Sequence, residues 1–450
     1  MLFKLKKMRI KSDTLCILIP LYIYFIGFFI TIFHVPESVL YASDIFLILA
    51  FSGAAFKVYR ILFKSNLMKL TLVLCALIIC GTFPLIIHGG SFLRWTWALR
   101  NWGRFFAYFA VGVSVLERKE LNRFYDFTLK LFHINTVVII LQFLFMRNVL
   151  SQDQLNGLVG RNTSSTNLIL ILSATAIICA KYFTGKTRLR NVLMVICEGL
   201  LVSVLAELKA AIFFIFILFF LLMLVNMKPT RKQIIQLILL MGGGLILGAI
   251  AISMMVKVYP RFANILTVQG IIDEIANPHG YGFSGKIDRL TAIKVINEDF
   301  FHQKGSFFKM FGLGIGNAEY STFDLLKSDF YIQYGDSYGY LNFSISMLYL
   351  ETGYVGLILF TVAMLILLMT AVKWLRHCHD SDEAYMYSVG IAEVLVILLF
   401  IIYNNLQRTD MSLLLAIYAM APWVVMKEKG KKVVVHNEKD TSAADRTAYK

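Results

Sequence analysis

NVLMVICEGLLVSVLAELKAAIFFIFILFFLLMLV, residues 191–225, is apolar almost throughout. Wound as one helix at 1.5 Å per residue, it would run about 50 Å, well past a bilayer core of about 30 Å. Glu207 and Lys209 stand near its middle, and two charges at mid-membrane are costly. The stretch is therefore read as two spans broken at 207–209. That break decides the topology of the whole chain. With it, Lys228, Arg231 and Lys232 fall on the same side as the N-terminus; without it they fall on the other.

Composition agrees with a membrane fold. The 450-residue chain is 58% hydrophobic and only 16% charged, with mean hydropathy +0.69. A soluble domain is nearer half apolar and a quarter charged. Apolar runs of membrane length recur, near 14–33, 40–56, 67–87, 103–116, 129–147, 165–183, 192–206, 209–226, 233–255, 341–372, 385–403 and 410–426. The expected fold is all-α and polytopic, with about 12 transmembrane helices. The first run follows Lys4, Lys6, Lys7, Arg9 and Lys11. It is long enough to span and lacks a small-residue cleavage site, so it reads as a helix and not a cleaved signal.

The net charge of +16 is explained by its placement, so nucleic acid is not implied. With the N-terminus inside, every even-numbered turn is basic: Lys57 to Lys69, Arg118 to Lys130, Lys181 to Arg190, Lys228 to Lys232, and Lys373 with Arg376. Basic residues mark cytoplasmic loops. Both termini are thus expected in the cytoplasm, with a polar tail over 427–450. The chain divides into spans 1–9 (1–256), one large extracytoplasmic loop (257–340) and spans 10–12 (341–426). A loop this long is usually functional. None of the six cysteines lies in it, and no Cys/His zinc spacing occurs, so neither disulfides nor a metal are expected.

Cations on the outer side break the topological rule and draw attention. They are Arg94, Arg100, Arg104, Arg147, Arg161, Lys209, Arg261, Lys286, Arg289 and Arg408. Arg100 and Arg104 share a helical face among Trp95, Trp97 and Trp102. One reading is an aromatic belt with arginine heads reaching for water. The other is an anion site, because the guanidinium fork matches phosphate. The polar start of the sixth span, 160–167, is either an ordinary cap or a second anion contact. Glu207 and Lys209 read as a pair at a tight turn. Asp336 reads as an N-cap before the tenth span or as a catalytic carboxylate. Glu351, in an apolar run, is a functional candidate by default; should the run begin with a surface helix, it sits at a bend before Gly353. The glycines of 312–317 lack the strand-then-helix context of a nucleotide site and read as a bend allowing close backbone approach. Gly242, Gly243, Gly244 and Gly248 read as a packing face.

GLGIGNAEYS (312–321), followed after a polar stretch by GDSYGYLNFSISMLYLETGYVG (335–356), resembles the O-antigen polymerase and O-antigen ligase superfamily of membrane glycosyltransferases. SGKIDR (284–289) and the polar opening of the sixth span resemble it too. Ligases of that superfamily carry a histidine before the E-x-G-x-x-G helix, where this chain has Gly335, Asp336, Ser337 and Tyr338; the polymerase branch is the better match. The resemblance implies a metal-independent enzyme of the bacterial inner membrane that makes O-antigen, capsule or exopolysaccharide. It transfers a glycan from undecaprenyl diphosphate to another lipid-linked repeat unit and needs no cofactor. Implied partners are the lipid-linked oligosaccharide, membrane lipid and a chain-length regulator protein. Within that scheme Arg104, Arg161 and Arg289 are the first choices for the diphosphate, then Arg100, Arg261, Arg408 and Lys209. Arg289 also serves catalysis, with Asp336 or Glu351 activating the acceptor hydroxyl. An O-antigen ligase, or a flippase with charges lining a midplane path, are the alternatives.

Overall fold

Every stretch expected to cross the membrane is helical. In this computed structural model residues 11–64, 67–147, 154–160, 164–226, 231–275, 286–302 and 304–430 are described, and no strand occurs among them. The helices are α1 (Ser12–Phe33), α2 (Ala42–Lys64), α3 (Met68–His88), α4 (Phe92–Val115), α5 (Arg118–Met146), α6 (Ser164–Phe183), α7 (Leu189–Leu205), α8 (Lys209–Asn226) and α9 (Arg231–Val258). Four short helices follow in the long connection: α10 (Val268–Ile275), α11 (Ala292–Ile296), α12 (Ser306–Phe311) and α13 (Asp329–Tyr338). Then come α14 (Ser344–Arg376), α15 (Ser381–Tyr403), α16 (Met411–Ala419) and α17 (Ala421–Gly430).

Among the described residues, 8 helices are long and apolar enough to span a bilayer, or 9 if α16 and α17, bent by 43°, form one crossing. This is an all-helical, multi-pass membrane protein. Large apolar side chains such as Phe56, Ile86, Phe145, Leu245 and Met369 stand exposed on its flanks, as a lipid-facing surface requires. Three further expected spans are not among these: α9 counts only as a shorter apolar helix over Gly242–Val258, and α4 and α7 fall short for visible reasons. Helix α4 begins at Phe92, well before the expected residue 103, and its first half carries Arg94, Arg100, Asn101 and Arg104. Helix α7 has only 17 residues.

The break in the decisive stretch occurs where charge demanded it. Helix α7 ends in a left-handed turn with Glu207 at φ 57°. The Leu208 N–H donates to the Ser203 carbonyl oxygen at 2.8 Å, the six-to-one bond of a Schellman cap. Helix α8 then turns back along α7 and packs beside α6 as well.

Helix α6 sits at the centre, packed on α5, α7, α8, α15 and α16. A helix apolar on all sides belongs inside, and its residues from Thr166 to Ala180 are all buried. Buried hydroxyls tie the centre together. The Tyr418 hydroxyl is 2.8 Å from the hydroxyls of both Tyr24 and Thr128. Of the expected glycine face, Gly244 and Gly248 pack on the Phe216 ring of α8, while Gly242 and Gly243 have open space beside them.

Among the described residues, the turns that carry Lys69, Arg118, Lys181 and Arg376 gather at one end of the bundle, and the described parts of the 257–340 connection pack at the other. At the basic end Lys181 pairs with Asp126, Lys186 with Asp382, and Lys429 with Glu383. At the loop end the connection builds a small core of its own. Ile287, Ile296, Phe301, Leu313 and Tyr340 pack against Met347, Tyr349 and Leu350 of α14.

Candidate functional site

The glycine-rich loop docks on a broken helix. Gly353 inside α14 has φ 62° and ψ −160°, which interrupts the helical ladder and frees the carbonyls before it. The Leu313 and Gly314 N–H groups donate to the carbonyl oxygens of Leu350 and Glu351, at 2.7 and 3.0 Å. Contact is too close for side chains on either strand. A Cβ on Gly312 would lie 2.5 Å from the Glu351 backbone, and one on Gly353 would lie 2.4 Å from Met310. Both have positive φ, so glycine is required twice over. Glu351 therefore sits at the bend, fully buried. Its carboxylate accepts from the Gly316 N–H and the Trp102 Nε1–H, each at 2.9 Å. The E-x-G-x-x-G stretch is thus the socket for the G-x-G-x-G-N loop.

Trp102 leads from this socket into a buried ionic network. The Arg408 guanidinium lies over its ring at 5.2 Å and pairs with Glu319. Glu319 also accepts from the Asn101 side-chain amide at 3.2 Å. The Asn101 amide oxygen accepts from Arg104 at 2.9 Å and from Arg100 at 2.8 Å. Arg100 pairs with Asp44 of α2 and lies over Trp97 at 4.4 Å. Three arginines and three carboxylates thus meet in the interior. Arg104 is 6% exposed, has no carboxylate within 4.0 Å among the described residues, and its Nε has no partner. The aromatic-belt expectation fails for Arg104: because α4 starts a full three turns earlier than expected, the residue lies inside the bundle and not at its rim.

Arg289 and Lys209 meet elsewhere, in a cavity of about 560 Å³ at the loop end. The starts of α6 and α8 supply Ser164, Ser165 and Lys209, and the α7–α8 turn supplies Glu207. Phe214, Ile265, Leu266, Phe343 and Tyr403 add apolar surface to the lining. The Arg289 guanidinium is sandwiched near the rings of Tyr403 and Phe343, at 4.9 and 5.5 Å. Its Nε donates to the Tyr403 carbonyl oxygen at 3.4 Å. The Lys209 ammonium lies 4.4 Å from the Phe262 ring. The Arg289 head also lies 3.8 Å from the buried Asp288 carboxylate, and ring contacts help to fix both cations in place. Glu207 and Lys209, two apart, would diverge on a continuous helix; the left-handed turn between α7 and α8 brings both to the one cavity.

The other candidates lie apart. Asp336 is exposed on α13, 3.5 Å from the Tyr331 hydroxyl. It is not an N-cap: Ser328 caps α13, and Phe343 precedes α14. An extra surface helix before the span displaced it. Arg147 is exposed at the end of α5, its head 5.7 Å from the Phe143 ring. Arg161 and the side chain of Arg261 lie outside the described residues. Burial raises the pKa of the Tyr340 phenol, which keeps it a donor to the Ala318 carbonyl oxygen at 3.0 Å.

Sequence reasoning passed over Asp44 and Glu319, and valued Glu207 only as an ion-pair partner. A left-handed non-glycine residue is visible only in three dimensions. No group of three His, Cys, Asp or Glu able to hold a metal occurs among the described residues. No protein-family model matches the chain, and no curated protein matches it.

Proposed function

We propose that the chain is a membrane glycosyltransferase of the O-antigen polymerase type, and that the Arg289–Lys209 cavity receives the diphosphate of a lipid-linked glycan. The observation that carries this reading is the cavity's composition. Two stacked cations and a carboxylate face a wall of apolar side chains at the loop end of a membrane bundle. A polyprenyl diphosphate combines the same two chemistries at one depth.

In this reading Glu207 takes the role first assigned to Asp336 or Glu351. Asp336 is exposed and Glu351 has both oxygens occupied within the loop socket. The Glu207 carboxylate accepts the proton of the acceptor sugar hydroxyl as that oxygen attacks the anomeric carbon. The bond from the anomeric carbon to the diphosphate oxygen breaks, and the lipid diphosphate leaves with the electron pair. Arg289 and Lys209 meet its growing charge. Arg100, Arg104 and Arg408 position α4, α14 and the glycine loop around the site. The proposal includes about twelve crossings, cytoplasmic termini and an extracytoplasmic loop, supported by the basic turns gathered at the opposite end.

The test is reconstitution of purified protein with a defined undecaprenyl-diphosphate-linked repeat unit. A ladder of longer glycans is expected from the wild type and none from Glu207→Gln. No ladder from the wild type, with translocation of the same substrate across vesicles, establishes a flippase instead. Transfer only to a lipid A core establishes a ligase.

A further inference from the structure

A second cavity, of about 1110 Å³, opens at the basic end between the start of α3 and the end of α14. It is lined by Lys69, Lys373, Arg376 and His377, with Leu72, Met369 and Trp374 among its apolar walls. No carboxylate lines it. None of its three permanent cations forms an ion pair among the described residues, whereas Lys181, Lys186 and Lys429 at the same end each have a carboxylate partner.

Two of the cations have a local use. Lys373 and Arg376 lie in the last turn of α14, where the helix dipole favours positive charge. Lys69 has the opposite setting. It lies in the first turn of α3, where the dipole disfavours a cation. Three like charges around one cavity repel each other unless an anion sits among them. Leu72 and Met369 are 57% and 68% exposed, so the wall continues onto the lipid-facing flank. The anion that reaches such a place carries acyl chains.

We propose that this cavity is a binding site for an anionic phospholipid of the adjacent leaflet, one whose headgroup bears two phosphates. The phosphates lie among Lys69, Lys373 and Arg376, and the acyl chains run along Leu72 and Met369. Basic pockets between helices at a membrane face bind such headgroups. The site is separate from the Arg289–Lys209 cavity, at the other end of the bundle, and stands whatever reaction occurs there.

Full-length protein in a neutral detergent is titrated with cardiolipin, and thermal unfolding is followed. At a hundredfold excess over Kd the midpoint is expected to rise by roughly 3 °C. The rise is expected to vanish in the triple variant Lys69→Gln, Lys373→Gln, Arg376→Gln. It is expected to persist in the charge-matched variant Lys57→Gln, Arg60→Gln, Lys130→Gln, whose changes lie outside the cavity. An equal rise in both variants, no rise in the wild type, or the same rise with inorganic phosphate alone overturns the proposal. Should the triple variant fail to fold, quenching by brominated cardiolipin decides. It is expected to fall in Trp374→Phe, and unchanged quenching in that variant overturns the site.

Discussion

The Glu351 carboxylate accepts hydrogen bonds from the Gly316 N–H and the Trp102 indole N–H, both at 2.9 Å, and so fastens the glycine-rich loop to α4 and α14. Glu351→Ala leaves two buried donors unpaired. A loss of about 2–5 kcal/mol in stability is expected, read as thermal unfolding in detergent. Glu351→Gln keeps one acceptor and is expected to lose less. A Glu351→Ala protein as stable as wild type but inactive would move the residue from structure to catalysis.

Arg408 and Glu319 form a buried ion pair, 6% and 2% exposed. Arg408→Met strands the Glu319 charge inside the protein, at an expected cost of about 3–5 kcal/mol. Adding Glu319→Gln removes that charge while preserving its acceptor toward Asn101. The double variant is expected to be more stable than Arg408→Met alone, and a double-mutant cycle on unfolding free energies measures the coupling.

Glu207 has a left-handed backbone at a position where glycine is preferred. Glu207→Gly relieves about 1 kcal/mol of strain, so its melting temperature is expected to rise or hold. Chain elongation is nevertheless expected to disappear, as in Glu207→Gln. Normal glycan ladders from both variants would remove the carboxylate from the reaction.

Arg289 presents its guanidinium between two rings, and a lysine there keeps charge while losing the planar fork. Arg289→Lys is expected to slow polymerisation by roughly 30- to 1000-fold, about 2–4 kcal/mol. Arg147→Lys and Asp336→Asn, at exposed positions outside both cavities, are expected to leave the glycan ladder unchanged. The comparison is made on gels at matched protein levels.

The side of the membrane that carries the long connection is tested by a single cysteine. Ser321 is only 3% exposed, whereas Leu325 is 74% exposed, so Leu325→Cys is the informative site. An impermeant thiol reagent is expected to label it in intact cells. Labelling only after membrane rupture would invert the topology.

Much of the helical framework was legible in the residues alone. Long apolar runs require internally satisfied backbone, which is why each expected span is helical. The cost of two central charges located the break at Glu207 to within a residue, and basic residues marked one end of the bundle. The reading of 312–317 as a bend for close backbone approach also held, because alternating glycines leave room that other residues fill.

What the sequence by itself determined is therefore the long apolar helices and the glycine joint, which follow from local pattern and from hydrophobicity along one segment at a time. Only the tertiary structure decided which outer cations belong together. Arg104 and Arg289 look equivalent as charges on the same side of a topology diagram. Folding sends one into a balanced ionic interior with Asn101, Glu319 and Asp44, and the other to a cavity beside Lys209 and Glu207. The reason is physical: a cation's role depends on the carboxylates and rings within a few ångströms of it. Most of those neighbours come from segments far apart in the chain, which no one-dimensional pattern brings together.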